Sequence, residues 1–132
     1  MAINFIYTYN WLSEQMKHIF EKEGITSQQF NILRILRGAG EPISTMQIRQ
    51  RMLDKMSDTS RIVDRLLVKE LVAKNTSTLD KRLVDVSITE KGKLLLQKLD
   101  GHEKEMDDIF KNLQMVDAEK MNLLLDKMRQ QP

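Results

Sequence analysis

The sequence predicts a mainly α-helical protein with one small β-hairpin. Along most of the 132 residues, apolar side chains recur at steps of three and four, the spacing of one face of a helix. In the segment VDVSI, residues 84–88, the step changes to two, as on a half-buried strand. Two Ser/Thr-x-x-Gln spacings of the capping-box type precede apolar runs. The length suffices for a single domain with a modest core.

The first two predicted helices are amphipathic and have clear ends. Residues 3–22 carry an apolar stripe, and Gly24 ends this helix. The second helix begins at Thr26, whose spacing to Gln29 predicts a capping box, and it closes on the glycines of the segment GAG. Each helix therefore has one apolar face to bury.

Two shorter helices follow Pro42. In the first of them, Ser44 and Gln47 repeat the capping-box spacing. The second covers about residues 57–71 and has Ser57 or Asp58 as its predicted cap. Its apolar residues again recur at helical spacing, so one side of it faces the core.

The hairpin and the C-terminal helices complete the predicted order of elements. The alternating segment 84–88 pairs with a strand in the preceding residues LVAKNTS. Thr89 is the predicted cap of a long helix that runs to about residue 113, and Gly101 is the place where this helix can kink. Asp117 is the predicted cap of a final helix.

Composition excludes several classes of function. Hydrophobic residues make up 41% and charged residues 30%, a balance typical of folded globular proteins. The chain has no cysteine, which rules out disulfides, thiolate metal sites and cysteine-based redox sensing. No apolar run is long enough to span a bilayer and no secretory signal is visible, so we expect a cytoplasmic protein without a membrane partner.

Enzymatic motifs are missing from the sequence as well. It contains no glycine-rich phosphate loop and no Ser–His–Asp set, and its carboxylates scatter over polar helix faces. The two histidines, His18 and His102, are too few for a zinc site and are expected at the surface or at an interface. We therefore expect no catalytic residue, no metal and no cofactor.

Charge is distributed unevenly along the chain. Residues 26–92 hold 12 Lys and Arg against 8 Asp and Glu, whereas the remainder holds 9 against 11. A basic middle segment favours an anionic partner. A difference of this size also arises by chance on protein surfaces, so it carries weight only together with the motifs below.

Three short helices followed by a two-stranded hairpin are the parts of a winged helix-turn-helix. In that arrangement the third helix, here about residues 57–71, enters the major groove of DNA. Its first turn offers short polar side chains and a base, and its free amides favour phosphate. Helix capping explains only one of these polar residues. The predicted DNA contacts are Ser44, Thr45, Ser57, Asp58, Thr59, Ser60, Arg61, Arg65, Lys81 and Arg82.

The hairpin, about residues 72–88, has the charge pattern of a DNA-binding wing. Its predicted tip carries Asp80, Lys81 and Arg82. The negative potential of the minor groove favours an inserted arginine, and Arg82 is the candidate for that insertion. Asp80 can hold the guanidinium group through a two-pronged hydrogen bond and fix its direction. By composition alone the same triplet would be an ordinary solvated loop, and its place directly after a DNA-reading helix favours the wing.

Together these segments resemble the MarR family of transcription regulators. The wing sequence LVAKNTSTLDKRLVDVSITEKG is similar to that family's pattern of Asp-x-Arg at the tip, alternating valines, and Thr-x-x-Gly at the entry to the next helix. SRIVDRLLVKELV resembles its recognition helix, ITSQQFNILRIL its second helix and ISTMQIRQRM its third. In one departure, Glu70 stands where the family usually has glycine before Leu-Val, so this turn must form without glycine or under strain.

The resemblance implies a homodimer that binds a pseudo-palindromic operator in double-stranded DNA. Residues 25–93 would form the DNA-binding lobe, while residues 1–24 and 94–132 would form dimerisation helices. The apolar stripes of these end segments exceed what the central residues can cover, which agrees with a dimer. Repression of transcription is the expected function. The alternative is a winged-helix protein-interaction module without specific DNA binding.

A small aromatic or phenolic effector is also implied by the resemblance. It would bind between the dimerisation helices and the DNA-binding lobe and favour one spacing of the two recognition helices. Aromatic and methionine side chains on a helix stripe are core residues more often than ligand walls, so the alternative is a packed core. The candidate lining residues are Tyr7, Trp11, Met16, Phe30, Arg34 and Met46.

Overall fold

The fold was obtained as a computed structural model, which describes residues 1–76, 80 and 84–130. It confirms the mainly helical class with a small antiparallel sheet. None of the helices within these ranges is both long and apolar enough to cross a membrane. In chain order the elements are α1 (Ala2–Glu21), α2 (Ser27–Ala39), β1 (Ile43–Ser44), α3 (Thr45–Arg51), α4 (Thr59–Val68), β2 (Val72–Thr76), β3 (Val84–Ile88), α5 (Glu90–Asp100), α6 (Glu103–Ile109) and α7 (Met115–Arg129).

Both predicted capping boxes are confirmed. At the start of α2, the Gln29 amide donates to Thr26 Oγ1 (3.1 Å) and the Thr26 amide donates back to Gln29 Oε1 (3.2 Å). At the start of α3, Gln47 and Ser44 form the same pair of bonds at 3.1 and 2.9 Å. Each box gives a hydrogen-bond acceptor to two backbone amides that a bare helix end would leave without one, so the start of each helix is fixed locally.

The sheet contains one more strand than the sequence predicted. Its order is β1-β3-β2, with both neighbouring pairs antiparallel, and β3 lies in the centre. The short strand β1 joins through the pairs Ile43↔Val86 and Ser44↔Asp85. Two residues cannot display an alternating pattern, which is why β1 gave no signal in the sequence. The added strand ties the segment before α3 to the hairpin.

The C-terminal helices depart from the prediction at two points. The single helix expected to reach residue 113 is wrong, because the chain breaks at Gly101 and continues as the separate helix α6. The predicted capping role of Asp117 is also wrong. The helix α7 begins earlier, and the Asp117 carboxylate accepts a hydrogen bond from the Gln114 amide (3.0 Å) from a position inside the first turn.

One hydrophobic core joins α2 to the sheet and to α4 and α5. By contrast, the first half of α1 and most of α7 keep their apolar side chains exposed. The aromatic rings of Phe20 and Phe30 stack at a centroid distance of 4.5 Å where α1 meets α2. The largest fully buried side chains are Phe20, Ile32, Leu33, Ile48, Met52, Leu66, Leu96, Val63 and Val86.

Thr89 and Gly92 join the end of the hairpin to the end of α4. The Thr89 amide donates to the Leu71 carbonyl (3.1 Å), and its hydroxyl donates to the Glu70 carbonyl (2.8 Å). The same hydroxyl accepts a hydrogen bond from the Gly92 amide (3.1 Å) and so caps α5, as predicted. A Cβ at Gly92 would lie 2.4 Å from the Leu71 carbonyl oxygen. Only glycine permits this approach.

The turn after α4 stores backbone strain at Glu70. This residue adopts φ of 60°, in the left-handed region that glycine favours. The Leu71 amide bonds the Leu66 carbonyl (3.1 Å) and the Glu70 amide bonds the Leu67 carbonyl (2.9 Å). These two bonds form a Schellman motif, whose left-handed position is usually glycine. The same motif ends α1, where Gly24 (φ 71°) occupies that position.

Replacing Glu70 with glycine is expected to raise the free energy of unfolding by about 1 kcal/mol, because glycine adopts this φ without a Cβ clash. The exposed ion pair with Lys91 (3.8 Å) that is lost contributes little. Thermal unfolding should show Tm higher by about 4 °C. As a control, Gly24→Ala should lower Tm by a similar amount, since its Cβ would meet open space and only the backbone is strained. A Glu70→Gly protein with unchanged or lower Tm would argue against strain.

Candidate nucleic-acid interface

The helix α4 has one buried face and one polar face. Asp58 caps it, because its Oδ1 accepts a hydrogen bond from the Arg61 amide (3.2 Å). Ile62, Val63 and Leu66 pack into the core. The side chains of Ser60, Arg61, Asp64 and Arg65 are all exposed on the other side. The helix therefore presents a row of polar and basic groups outward.

Two of these outward bases have no partner within the described ranges. Neither Arg61 nor Arg65 makes a side-chain hydrogen bond or ion pair with residues 1–76, 80 or 84–130. Asp64, between them in sequence, is instead bound to Lys74 of β2 (Nζ–Oδ1 2.9 Å). The ion pair fastens α4 to the hairpin and keeps this carboxylate away from the arginines. Both guanidinium groups retain their full donor capacity for an anionic or acceptor-rich partner.

A groove of about 500 Å³ separates the start of α3 from the start of α4. Five of the predicted DNA-contact residues line this groove. It is also lined by three residues that the sequence did not single out for DNA binding: Met46, Arg49 and Met56. Arg49 could have been recognised as an exposed base in the last turn of α3. The lining residues are Thr45, Met46, Arg49, Met56, Ser57, Asp58, Thr59 and Ser60.

Two predicted contact residues are constrained by their surroundings: Thr59 is buried, and the hydroxyl of Ser44 is already hydrogen-bonded. Thr59 is only 3% exposed, and its Oγ1 has no hydrogen-bond partner among the residues described. Its burial argues against the direct DNA contact that the sequence predicted. Ser44 lies in β1, where its hydroxyl caps α3 by accepting from the Gln47 amide. A phosphate contact from Ser44 would have to share that oxygen.

The wing is described up to the pair Thr76↔Val84. Lys81 and Arg82 lie outside the described residues, so their predicted DNA contacts stay predictions, as does the contact between Asp80 and Arg82. Asp80 itself is partly buried. The five paired positions of β2 and β3 direct the hairpin away from the core, starting at the buried Val72.

A second cavity, of about 570 Å³, lies between α1, α2 and the turn after α3. Of the six predicted effector-pocket residues, Met16, Phe30 and Arg34 line it. Tyr7 and Trp11 are exposed elsewhere on α1, and Met46 lines the groove described above. The cavity's full lining is Tyr9, Ser13, Met16, Phe20, Ser27, Gln28, Phe30, Asn31, Arg34, Met52, Leu53, Asp54 and Lys55.

Arg34 is held in position at the wall of this cavity. Its Nη2 donates to Asn31 Oδ1 (2.9 Å), and Asn31 Nδ2 in turn contacts Met52 Sδ (3.6 Å). Asn31 is buried, whereas Arg34 is exposed. An amide at a buried position of the α2 stripe was the available sequence signal for this arrangement, since buried polar groups need partners.

The chain is similar in sequence to known transcription regulators. The sequence model of the MarR family matches residues 23–83. The HTH-type transcriptional repressor MdtR of Bacillus subtilis is 31% identical over 88 residues, 67% of this chain. The chain belongs to the MarR family. The match spans only 56% of the length of MdtR.

Solved MarR-type structures share the fold along almost the whole chain. A mutant of E. coli MarR in complex with operator DNA superposes with a TM-score of 0.85 and 23% identity, covering 96% of this chain and 92% of the other. BpsR of Bordetella bronchiseptica, whose DNA binding is regulated by 6-hydroxynicotinic acid, also superposes on this chain. The TM-score is 0.89 and the identity is 20%, and the match covers 100% of this chain and 94% of the other. At these identities the likeness shows the fold.

His102 links α1 to α6 through two carboxylates. Its Nδ1 lies 2.9 Å from Glu105 Oε1 and its Nε2 lies 3.2 Å from Glu23 Oε1, and the ring is 22% exposed. Glu105 also pairs with Lys22 of the α1 end. Hydrogen bonding to Glu105, and then to Glu23, raises the pKa of His102 above its ordinary value of 6.5. Lys22, and then His102, lower the pKa of Glu105.

Stability is therefore expected to fall as the pH rises through the raised pKa of His102, because only the protonated ring donates to both carboxylates. The protonated His102 ring makes its full contribution to the free energy of unfolding below the ordinary His pKa of 6.5. Urea unfolding between about pH 6 and about pH 9 should show this loss in the wild type and a smaller one in His102→Gln. His18→Gln leaves the His102 contacts intact and should keep the wild-type slope. Equal slopes in all three proteins would refute the linkage.

Proposed function

We propose that this chain is a homodimeric, sequence-specific DNA-binding regulator that represses transcription. The observation that carries the proposal is the pair Arg61 and Arg65 on the exposed face of α4, neither of which has a side-chain partner among the residues that the structure describes. A planar guanidinium group is the best side chain for reading guanine in the major groove. Repression is the finer part of the proposal, and it is supported by the likeness to the repressor MdtR.

The elements of the DNA-binding lobe, proposed as residues 25–93, would each face one part of a DNA duplex. A single helix fits the major groove with its first turn towards the base edges. The start of α4 would bring Ser60 and Arg61 to that position, with the free amides of the first turn beside them. Arg49 at the end of α3 lines the groove beside α4 and would contact phosphate, as the first helix of such a pair does. The hairpin would reach the adjoining minor groove.

Dimerisation is proposed through the helices of residues 1–24 and 94–132. The exposed apolar side chains of these segments form a surface that a monomer would leave in water, which soluble monomers rarely do. A two-fold dimer would present two copies of α4 to half-sites about one helical turn apart. The exposed apolar residues include Ile3, Phe5, Ile6, Tyr7, Tyr9, Trp11, Phe110, Leu113, Met115, Val116, Met121, Leu123, Leu124 and Met128.

An effector is proposed for the cavity that Arg34 lines. A small aromatic or phenolic acid would place its ring near Phe30 and its anionic group near the Arg34 guanidinium. The regulation of BpsR by 6-hydroxynicotinic acid supports this class of ligand. The effector can act only by binding one spacing of the recognition helices better than the other. Arg34→Gln should then remove the response of operator affinity to such an acid, whereas Arg37→Gln, which breaks an outside pair with Asp100, should keep it.

The test is binding of the purified protein to the intergenic DNA beside its own gene, measured across a salt series. A scrambled duplex of the same composition is the control. We expect tight, sequence-dependent binding whose affinity falls steeply with salt, because several phosphate contacts release counterions. A search of random duplexes would supply an operator if the regulator does not control its own gene. Equal, weak binding to all duplexes would reject the proposal and favour the protein-interaction module.

A further inference from the structure

Two methionines stand out on the face that carries α4. Met46 is 70% exposed and Met56 is 93% exposed, and both line the groove between the starts of α3 and α4. Their neighbours in this groove are polar or basic, among them Arg49, Ser57 and Ser60. A thioether has no hydrogen-bond donor, so it can serve neither phosphate nor a base acceptor.

The backbone at both methionines is fixed although the side chains are free. Met46 is the second residue of α3, inside the capping box of Ser44 and Gln47. The Met56 amide donates to Asp54 Oδ1 (3.0 Å), and the Ser57 hydroxyl donates to the Asp54 carbonyl (2.7 Å). Side chains that are flexible on a fixed backbone can adapt to an irregular apolar surface.

We propose that Met46 and Met56 read thymine by packing against its C5-methyl group in the major groove. This inference rests on the proposed function, because it places the start of α4 in that groove. The C5-methyl group of thymine is the apolar feature that the major groove displays. Contact with it removes both the methyl group and the thioether from water, which is favourable. Each half-site of the operator is then expected to carry at least one thymine next to the bases that Arg61 contacts.

The experiment replaces thymines of a selected operator, one at a time, with deoxyuridine, which removes only the methyl group. Operator is first obtained by binding selection from random duplexes with the wild-type protein. At the contacted thymines, uracil should lower affinity about fourfold, which corresponds to one buried methyl group at about 0.8 kcal/mol. Met46→Gln or Met56→Gln should abolish this penalty at its own position, and a double-mutant cycle measures the coupling.

Two further variants make the result specific. Met46→Leu and Met56→Leu keep an apolar side chain and should keep most of the uracil penalty. Val68→Ala changes an exposed apolar residue at the far end of α4, outside the groove, and should leave the penalty unchanged.

Each alternative outcome has one meaning. If the wild type binds its operator specifically and no uracil substitution matters, or the penalty persists in the glutamine variants, the thymine proposal is wrong and the proposed function stands. If selection yields no preferred sequence, both proposals fail.

Discussion

Arg61→Ala is expected to lower affinity for the selected operator by about 1–3 kcal/mol, roughly 5- to 150-fold. Arg61 is the first base of α4, is exposed, and makes no side-chain hydrogen bond or ion pair with residues 1–76, 80 or 84–130. Its guanidinium is therefore free to form a two-pronged contact with guanine. Because a base contact specifies sequence, the variant should also relax the preference at one position of each half-site. Fluorescence anisotropy with the operator and single-base variants measures both effects.

The control for Arg61→Ala is Lys98→Ala, which removes the same charge from the exposed surface of α5. It should change the affinity only slightly, through the net charge. The salt dependence should be nearly the same for Arg61→Ala and the wild type, since a phosphate contact would instead reduce the slope. Equal losses in both variants, or a loss that disappears at high salt, would mean that Arg61 contributes only general electrostatics.

Gly92→Ala is expected to cost about 3 kcal/mol of unfolding free energy. The new Cβ would lie 2.4 Å from the Leu71 carbonyl oxygen and 2.8 Å from Ile88 Cγ1. A backbone carbonyl cannot rotate away as a side-chain end can, so α5 must move from the Thr89 junction. Tm should fall by roughly 10 °C, and thermal unfolding by circular dichroism measures it.

Gly38→Ala is the matched control for Gly92→Ala. Gly38 lies within α2, and a Cβ there would meet nothing within 4 Å. Alanine should therefore stabilise the protein by about 0.5–1 kcal/mol, through its better helix propensity. If both alanine variants lost stability to the same extent, helix geometry rather than the close approach at Gly92 would be the cause.

Features with a local cause could be predicted from the sequence. The capping boxes at Thr26 and Ser44 depend on residues three apart, and both formed. The strain at Glu70 followed from a side chain in a position that favours glycine, and its φ of 60° confirms it. The threonine cap of α5 is likewise local, because Thr89 accepts from the Gly92 amide three residues on, whereas the close approach of Gly92 to Leu71 depends on the fold.

Features with a distant cause were missed or misplaced. The strand β1 exists only because β3 pairs with it, which two residues cannot reveal. Thr59 occupies the first turn of α4, where polar residues usually face outward, and only the packing of that turn shows that it is buried.

The effector-pocket prediction combined residues from different faces of α1. Of the three α1 residues predicted, only Met16 lines the cavity with Phe30 and Arg34. At about 100° per residue, Tyr7 lies on the opposite face of α1 from Met16, and Trp11 is also turned well away from it. Tyr9 takes the place expected for Tyr7. Tyr9 lies two turns before Met16 on the same face of α1, so helical spacing favours Tyr9 over Tyr7 for this cavity.

Methylation interference on the selected operator tests the central claim most directly. Dimethyl sulfate methylates guanine N7 in the major groove and adenine N3 in the minor groove, so it reports which groove each element occupies. We predict interference at guanine N7 in two half-sites about one helical turn apart, where the two copies of α4 would lie, flanked by adenine N3 sites at the wings. Binding that tolerates methylation at every guanine N7 would contradict the placement of α4 in the major groove.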